Sequence, residues 1–477
     1  MKKKISLFVA SFFLVCFIMV HISEEANAKT IDLYGGVKNE YTYEEVIFLT
    51  GEPIKLKGTS KDASVTVKET NGKLTENYRF NLTGTNGEKL TRTFVYVSDV
   101  TNYDQIGQST ATGTVTNYTE KLTIGKKTYT LSDYQLSKSA VTDKRPASDY
   151  YSGNAIARKT YTIKEGKEES QLVVNVDSRT EGYENFWGAT ETQITEYEMK
   201  FADGSIGTVK NQVSSTKSRT LKYEKNDASL SSFYGGYSVI SEADLTSQYT
   251  YNLPKKNGRV SIDTEAMPRL ERLIVPKFRD LANHQAKTAI EKLYSLGIFD
   301  DPSNFFSPGT PMQRYDFAVS IGKAIDLRVL EDDKKTKTPT SIFNDVKRTA
   351  KNYSYLEATV KKGVITGLNP STFDPEGFLT RQQAATILVR ALGLEGKAPD
   401  PGYQTNYKDD HRISDYARDS IYVISELGLM TGDTVTGNFN PKSYLTRSQS
   451  ALIITRFLEY LEKDLKQNFR DDILFFD

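Results

Sequence analysis

The segment Phe373-Asp-Pro-Glu-Gly-Phe-Leu-Thr-Arg381-Gln-Gln383 has two counterparts in the C-terminal part of the chain. Phe306-Ser-Pro308 leads to Arg314, and Phe439-Asn-Pro441 leads to Arg447. Five residues separate Pro from Arg each time, and successive Args are 67 and 66 residues apart. A period of that size marks one supersecondary unit used three times. Whatever one unit binds is then expected at up to three related places.

Working outward from that segment completes the unit. Each copy begins with aromatic-x-Asp: Phe278-Arg-Asp280, Phe343-Asn-Asp345 and Tyr407-Lys-Asp409. An amphipathic helix follows and ends at Gly297, Gly363 or Gly428, where Gly suits a left-handed C-cap. Then comes a turn, Gly363-Val-Ile-Thr-Gly367 or Gly428-Leu-Met-Thr-Gly432; the first copy reads Gly297-Ile-Phe-Asp-Asp301 and lacks the second Gly. Phe-x-Pro leads into a second helix. Thr380 with Gln383 and Thr446 with Gln449 form capping boxes, each contributing about 1 kcal/mol. The boxes set Arg381 and Arg447 at the first helical position, beside free backbone N–H groups and the positive end of the helix dipole. A guanidinium seated there is a bidentate receptor for carboxylate or phosphate. The competing reading is an Arg that merely pairs with a nearby Asp, such as that of aromatic-x-Asp. Three Args at matched positions favour the receptor.

Motif order and spacing resemble S-layer homology modules, whose pattern runs F-x-D, a helix with W-A, G-I-x-G, F-x-P and T-R-A-E. The resemblance covers about Phe278 to Tyr460. It implies a helical pseudo-trimer with three prongs. It further implies binding of secondary cell-wall polysaccharide through pyruvylated sugars, the motif Arg meeting the ketal carboxylate in grooves between modules. Ligand-binding positions are then Arg381, Arg447, Tyr416, Gly367, Gly432, Asp345 and Asp409, with weaker roles for Arg314 and Asp280. Departures from the pattern rank the copies. The Trp is replaced by Gln285, Lys351 and Tyr416, so only Tyr416 keeps an aromatic face. The first copy has Gln313-Arg-Tyr-Asp316 for T-R-A-E, and Asp301 where the others have Gly367 and Gly432. A carboxylate there opposes an anionic ligand, so the groove built on Arg314 is expected to be weak or purely structural. Phe469-Arg-Asp471 repeats the opening motif and is expected to begin a closing segment, 461–477.

The N-terminus carries Lys2 to Lys4, an uncharged apolar run from Ile5 to Val20, and Ala26-Asn-Ala28. These are the three parts of a signal peptide, 1–28, cleaved before Lys29. The single Cys, Cys16, lies within it. Thiolate metal ligands, disulfides and a Cys nucleophile are thereby excluded from the mature chain. Of 62 basic and 61 acidic residues, three Lys and two Glu fall in the leader, which leaves the rest balanced. A neutral chain offers no field for nucleic acid, and no second apolar run reaches the ~20 residues of a membrane span. A secreted Gram-positive wall protein, with self-association on the surface compatible, fits these bounds. No cofactor or metal is implied.

Residues 29–265 read differently. Short alternating segments such as Glu44-Val46-Phe48 and Leu172-Val174-Val176, rich in Thr, Tyr and Val, predict antiparallel strands joined by tight turns. The fold class is thus multidomain: an all-β region of one or two sandwich-like domains, then helical modules at 275–330, 341–394 and 405–460, joined by exposed linkers near Glu331–Thr340 and Glu395–Asn406. His284 and His411 lie in the repeats and His21 in the leader. The β region therefore excludes Ser-His-Asp catalysis and His-ligated zinc. Carboxylate pairs remain: Glu196 with Glu198, and Asp177 with Glu181. They carry the alternative reading, a wall-anchored hydrolase of polysaccharide or peptidoglycan. Trp187, in Tyr183-Glu-Asn-Phe-Trp-Gly188, is the only Trp; it is expected in the core, with a sugar-stacking platform as the rival.

Overall fold

The structure, a computed structural model, describes residues 35–224, 236–265, 267–327, 340–399 and 404–465. The leader and the Phe469-Arg-Asp471 motif lie outside these residues.

The β region is one antiparallel sheet of fifteen strands. The first seven are β1 (Val37–Lys38), β2 (Thr42–Ile47), β3 (Ile54–Thr59), β4 (Ala63–Thr70), β5 (Lys73–Gly84), β6 (Lys89–Tyr103) and β7 (Gln108–Ile124). The rest are β8 (Lys127–Lys144), β9 (Asp149–Glu165), β10 (Glu168–Glu184), β11 (Gly188–Lys200), β12 (Ile206–Glu224), β13 (Gly236–Leu253), β14 (Lys256–Glu265) and β15 (Arg269–Arg272). Neighbours in sequence are neighbours in the sheet, except that β3 reaches past β4 to β5 and β15 returns to β13. The similar segments Lys127–Leu131 and Lys159–Ile163 pair with each other, Tyr129 opposite Ile163 and Leu131 opposite Tyr161. The sheet curls until its first strand meets its last. The Gly35 carbonyl accepts from Ser247 Oγ and Tyr249 OH, both at 2.6 Å, and Asn39 Nδ2 donates to Thr264 Oγ1 at 2.8 Å.

The period of two decides which residues fill the rolled sheet. Along β10, Leu172, Val174 and Val176 point inward, followed on the same face by Ser178 and Thr180. The interior is therefore apolar and aromatic at one end and hydroxyl-rich at the other, where Ser178 Oγ meets Thr195 Oγ1 at 2.8 Å. Charges are buried as well. Arg92, 5% exposed, donates Nε to Glu120 and Nη1 to Glu45 at 2.9 Å. Tyr161 OH donates to Glu120 at 2.7 Å, and Lys138 pairs with Glu76. Paired and hydrogen-bonded, these ions are tolerated; alone, each is costly.

The C-terminal part forms α1 (Lys287–Ser295), α2 (Arg314–Ala324), α3 (Tyr353–Lys361), α4 (Arg381–Leu392), α5 (Asp415–Glu426) and α6 (Arg447–Glu459). Gly297, Gly363 and Gly428 stand just past α1, α3 and α5 with φ of 70°, 71° and 67°, the left-handed caps their positions require. The second helix of each module packs on the first helix of the next: α2 on α3, α4 on α5, and α6 back on α1. Their shared core includes Phe306, Phe317, Phe373, Leu388, Phe439 and Phe457. It also takes in Ala147, Tyr183 and Trp187 from the β region. Trp187 is 4% exposed, a core residue and not a platform for sugar. No described helix is long and apolar enough to cross a membrane.

Candidate functional site: the junctions between repeats

The Phe-x-Pro segments meet in a ring. Met312 N donates to Leu445 O at 2.7 Å, Leu445 N to Leu379 O at 2.8 Å, and Leu379 N to Met312 O at 2.9 Å. A second ring sets the motif Args: Arg314 N donates to Gly377 O, Arg381 N to Ser443 O, and Arg447 N to Thr310 O. The middle residue of each Phe-x-Pro has positive φ, 57° at Ser307, 61° at Asp374 and 57° at Asn440. That suits Asp and Asn. The Asp of aromatic-x-Asp holds each bend. Asp280 accepts from Phe306 N and Ser307 N, Asp345 from Phe373 N and Asp374 N, and Asp409 from Phe439 N and Asn440 N, at 2.7–3.1 Å. Burial works to raise the Asp280 and Asp345 carboxyls, but the amide donors outweigh it and hold both below the usual range. Each of these carboxylates is thus engaged by main-chain amides.

Each motif Arg crosses to the following module. Arg314 donates Nε to Phe373 O at 3.1 Å and Nη2 to Thr366 O at 3.0 Å. Arg381 donates Nε to Phe439 O and Nη2 to Thr431 O, both at 2.8 Å. Arg447 donates Nε to Phe306 O at 2.9 Å, but its Nη2 goes to Asp301 Oδ2 at 3.0 Å. Every guanidinium lies over the ring of the Phe whose carbonyl it holds, at 5.1, 4.8 and 4.6 Å respectively. None pairs with the Asp of aromatic-x-Asp. In Arg314 and Arg381, Nη1 makes no hydrogen bond to a described residue, whereas the Arg447 side chain also meets Tyr294. Burial lowers the affinity of Arg314 and Arg381 for their protons, with Asp374 and Tyr416 opposing this at Arg314, and Tyr407 and Asp409 at Arg381. Both remain cations.

This crossing corrects the sequence reading of Asp301. It was expected to spoil the groove of its own module's Arg314. Instead it faces Arg447, because every turn is read by the Arg of the preceding module in the ring. That junction gathers several carboxylates among its cations. Tyr294 OH donates to Asp301, Asp300 pairs with Lys323 and Lys351, and Asp316 is raised by burial, opposed by Arg447 and reinforced by Asp301 and Asp300. Arg314 instead faces the Gly363–Gly367 turn, and exposed Tyr416 of α5 lies within its electrostatic reach. Position explains the Gly requirement. A Cβ on Gly367 would stand 2.6 Å from the Phe343 ring, and one on Gly432 2.5 Å from the Tyr407 ring. The pattern of motifs in sequence gave no sign of which turn each Arg would reach.

The carboxylates of the β region fall elsewhere. Asp177 and Glu196 are cross-strand partners on β10 and β11, and with Glu198 they line an open concavity of about 1050 Å³ across β8 to β13. Glu196 pairs with Lys210 at 3.3 Å, and Asn175 Nδ2 donates to Glu198 at 3.2 Å. Glu181 is not among the lining residues.

Comparison with known proteins bears on the repeats. The S-layer homology domain family matches residues 277–318, 342–385 and 406–451. The surface-layer 125 kDa protein of Lysinibacillus sphaericus is 29% identical over 180 residues, 37% of this chain and 14% of that protein. An endoglucanase of Bacillus sp. (strain KSM-635) is 34% identical over 131 residues, 28% of this chain and 13% of that protein. S-layer protein EA1 of Bacillus anthracis is 27% identical over 196 residues, 40% of this chain and 21% of that protein. The chain thus spans about a fifth or less of these relatives, and the endoglucanase shares with it only the repeat region. Residues 277–451 carry three S-layer homology domains, which indicate a secreted cell-surface protein of a Gram-positive bacterium.

Proposed function

We propose that this protein is held non-covalently on the cell wall by its three repeats, which close into a pseudo-trimer and bind a pyruvylated secondary cell-wall polysaccharide, while the β region is displayed outward as a structural or binding element. The observation that carries this reading is the seating of the motif Args. Two carbonyls and an aromatic ring hold Arg314 and Arg381 at inter-module junctions with Nη1 unengaged. A preoriented guanidinium edge suits a ketal carboxylate. The cyclic hydrogen bonds support the pseudo-trimer.

The competent grooves in this reading are two. One joins Arg314, Gly367 and Tyr416, whose ring offers a sugar a stacking face; the other joins Arg381 and Gly432. Arg447 serves a groove already occupied by Asp301. Asp280, Asp345 and Asp409 shape the grooves without touching ligand. Two linked sites raise avidity by about 10²–10⁴ over one when both engage. Sedimentation with purified wall sacculi tests this. Arg314→Lys with Arg381→Lys keeps the charges and removes the fork, and retention is expected to fall at least about tenfold. Wild-type sedimentation by a double variant that melts as a folded protein defeats the reading.

A further inference from the structure

The second helices of the three modules begin at the motif Args and end against the β region. α2 and α4 end with carbonyls that lack intrahelical partners, while α6 runs on into a π-helical turn, Tyr460–Asp464; the β region supplies a donor to all three. Trp187 Nε1 donates to Ala324 O of α2 at 2.8 Å, Ala147 N to Ala391 O of α4 at 2.9 Å, and Asn185 Nδ2 to Leu461 O, within the π-helical turn that continues α6, at 3.2 Å. Two loops provide all three, those joining β8 to β9 and β10 to β11. The Asn185 side chain also shapes its loop, accepting from Trp187 N at 2.7 Å and Gly188 N at 2.8 Å.

Charge and packing agree with the hydrogen bonds. Arg145 lies over Gly393 at the end of α4, where a Cβ would come within 2.8 Å of its Cδ. Arg219 covers Phe186 at 4.3 Å and Trp187 at 5.7 Å, and senses Asp326 just past α2. Cations at helix C-termini complement the negative dipole end. Ala147, Tyr183 and Trp187 complete the core of the helical part, not that of the rolled sheet.

We infer that the β region is the built-in cap of the repeat set: its two loops close the C-terminal ends of α2 and α4 and grip the continuation of α6, so the helical part depends on the β region for its stability. The β region is accordingly fixed at the end opposite the motif Args. Helices of 11 to 13 residues separate the two ends by about 16–20 Å. Tension on the β region enters three helices together and does not pass only through the connection after β15.

Trp187 is the only Trp, so its fluorescence reports this interface alone. The test is denaturant unfolding of the full chain, followed by Trp187 emission and by helical ellipticity; it needs no polymer and stands apart from the wall-binding reading. The expected result is a red shift of Trp187 coincident with helix loss. Trp187→Phe, which keeps a ring and removes the Nε1 donor, is expected to lower the helical melting midpoint by about 2–4 °C and to speed amide exchange in the last turns of α2, α4 and α6. Emission reaching its solvent-exposed maximum while helical signal is intact overturns the inference. So does a Trp187→Phe chain whose helical midpoint and exchange are unchanged.

Discussion

Asp301→Asn isolates one charge in the third junction. In the wild type, Asp301 Oδ2 stands 3.0 Å from Arg447 Nη2. A ligand carboxylate accepting from the neighbouring Nη1 would lie roughly 5 Å from it by ordinary hydrogen-bond geometry. The Asp301 side chain is 45% exposed and that of Arg447 18%, so the effective dielectric is closer to water than to a protein interior. Two like charges at that separation then cost about 1–2 kcal/mol, or about 5- to 30-fold in the dissociation constant of the groove. Asn keeps the shape and an acceptor for Arg447. Loss of a half-exposed ion pair costs at most about 1 kcal/mol of stability. Titration with purified pyruvylated polymer at low and high salt reads the difference. Tighter binding at low salt, with the gain shrinking as salt rises, is expected. Unchanged affinity at both salts, in a folded variant, refutes the idea that Asp301 is what disables this groove.

Three further outcomes are expected. Arg92→Leu removes the guanidinium that pairs with buried Glu45 and Glu120 and is expected to lose about 3–5 kcal/mol in chemical denaturation; a loss below about 1 kcal/mol would show that the cluster is solvated. Burial raises the Glu120 carboxyl, but the charges of Arg92 and Lys159 and the hydrogen bonds from Tyr161 and Arg92 outweigh it and hold it below the ordinary glutamate value of 4.5. Its contribution to stability is therefore full above that value and is lost as pH falls below 4.5 through the folded pKa, which a pH series of β-region melts will show as acid destabilisation. Asp345→Ala strips the acceptors from Phe373 N and Asp374 N. It should lower stability by about 1–3 kcal/mol while leaving polymer affinity unchanged below the melting range, as isothermal titration can check.

The helical half was legible because its signals are local. A Gly that must turn left-handed, a Thr-x-x-Gln cap and a Phe-x-Pro bend are each specified within a few residues, and Gly363, Thr446 with Gln449, and Asp374 adopt those conformations. What sequence could not show is which copies touch. Asp301 and Arg447 are 146 residues apart, and only the ring of backbone hydrogen bonds brings them together. The β half gave its strands through alternation, as along Leu172, Val174 and Val176. Alternation says which face is inward, not how far a sheet curls, so the meeting of Gly35 with Tyr249 had no local sign. The carboxylates show the same limit. Glu196 and Glu198 share a face by the period of two, but Asp177 joined them only through strand register. Trp187 was readable as core, yet nothing nearby told that the core belonged to the helices.

The hydrogen-bond ring joining Met312, Leu445 and Leu379 has no free end, since every member both gives and takes. A shortened version with two repeats would therefore not be two-thirds of the same object; it would present one orphan donor and one orphan acceptor at its centre. Copy number in such an arrangement is set by closure, and individual repeats can drift in sequence, as the first has, provided the circle stays unbroken.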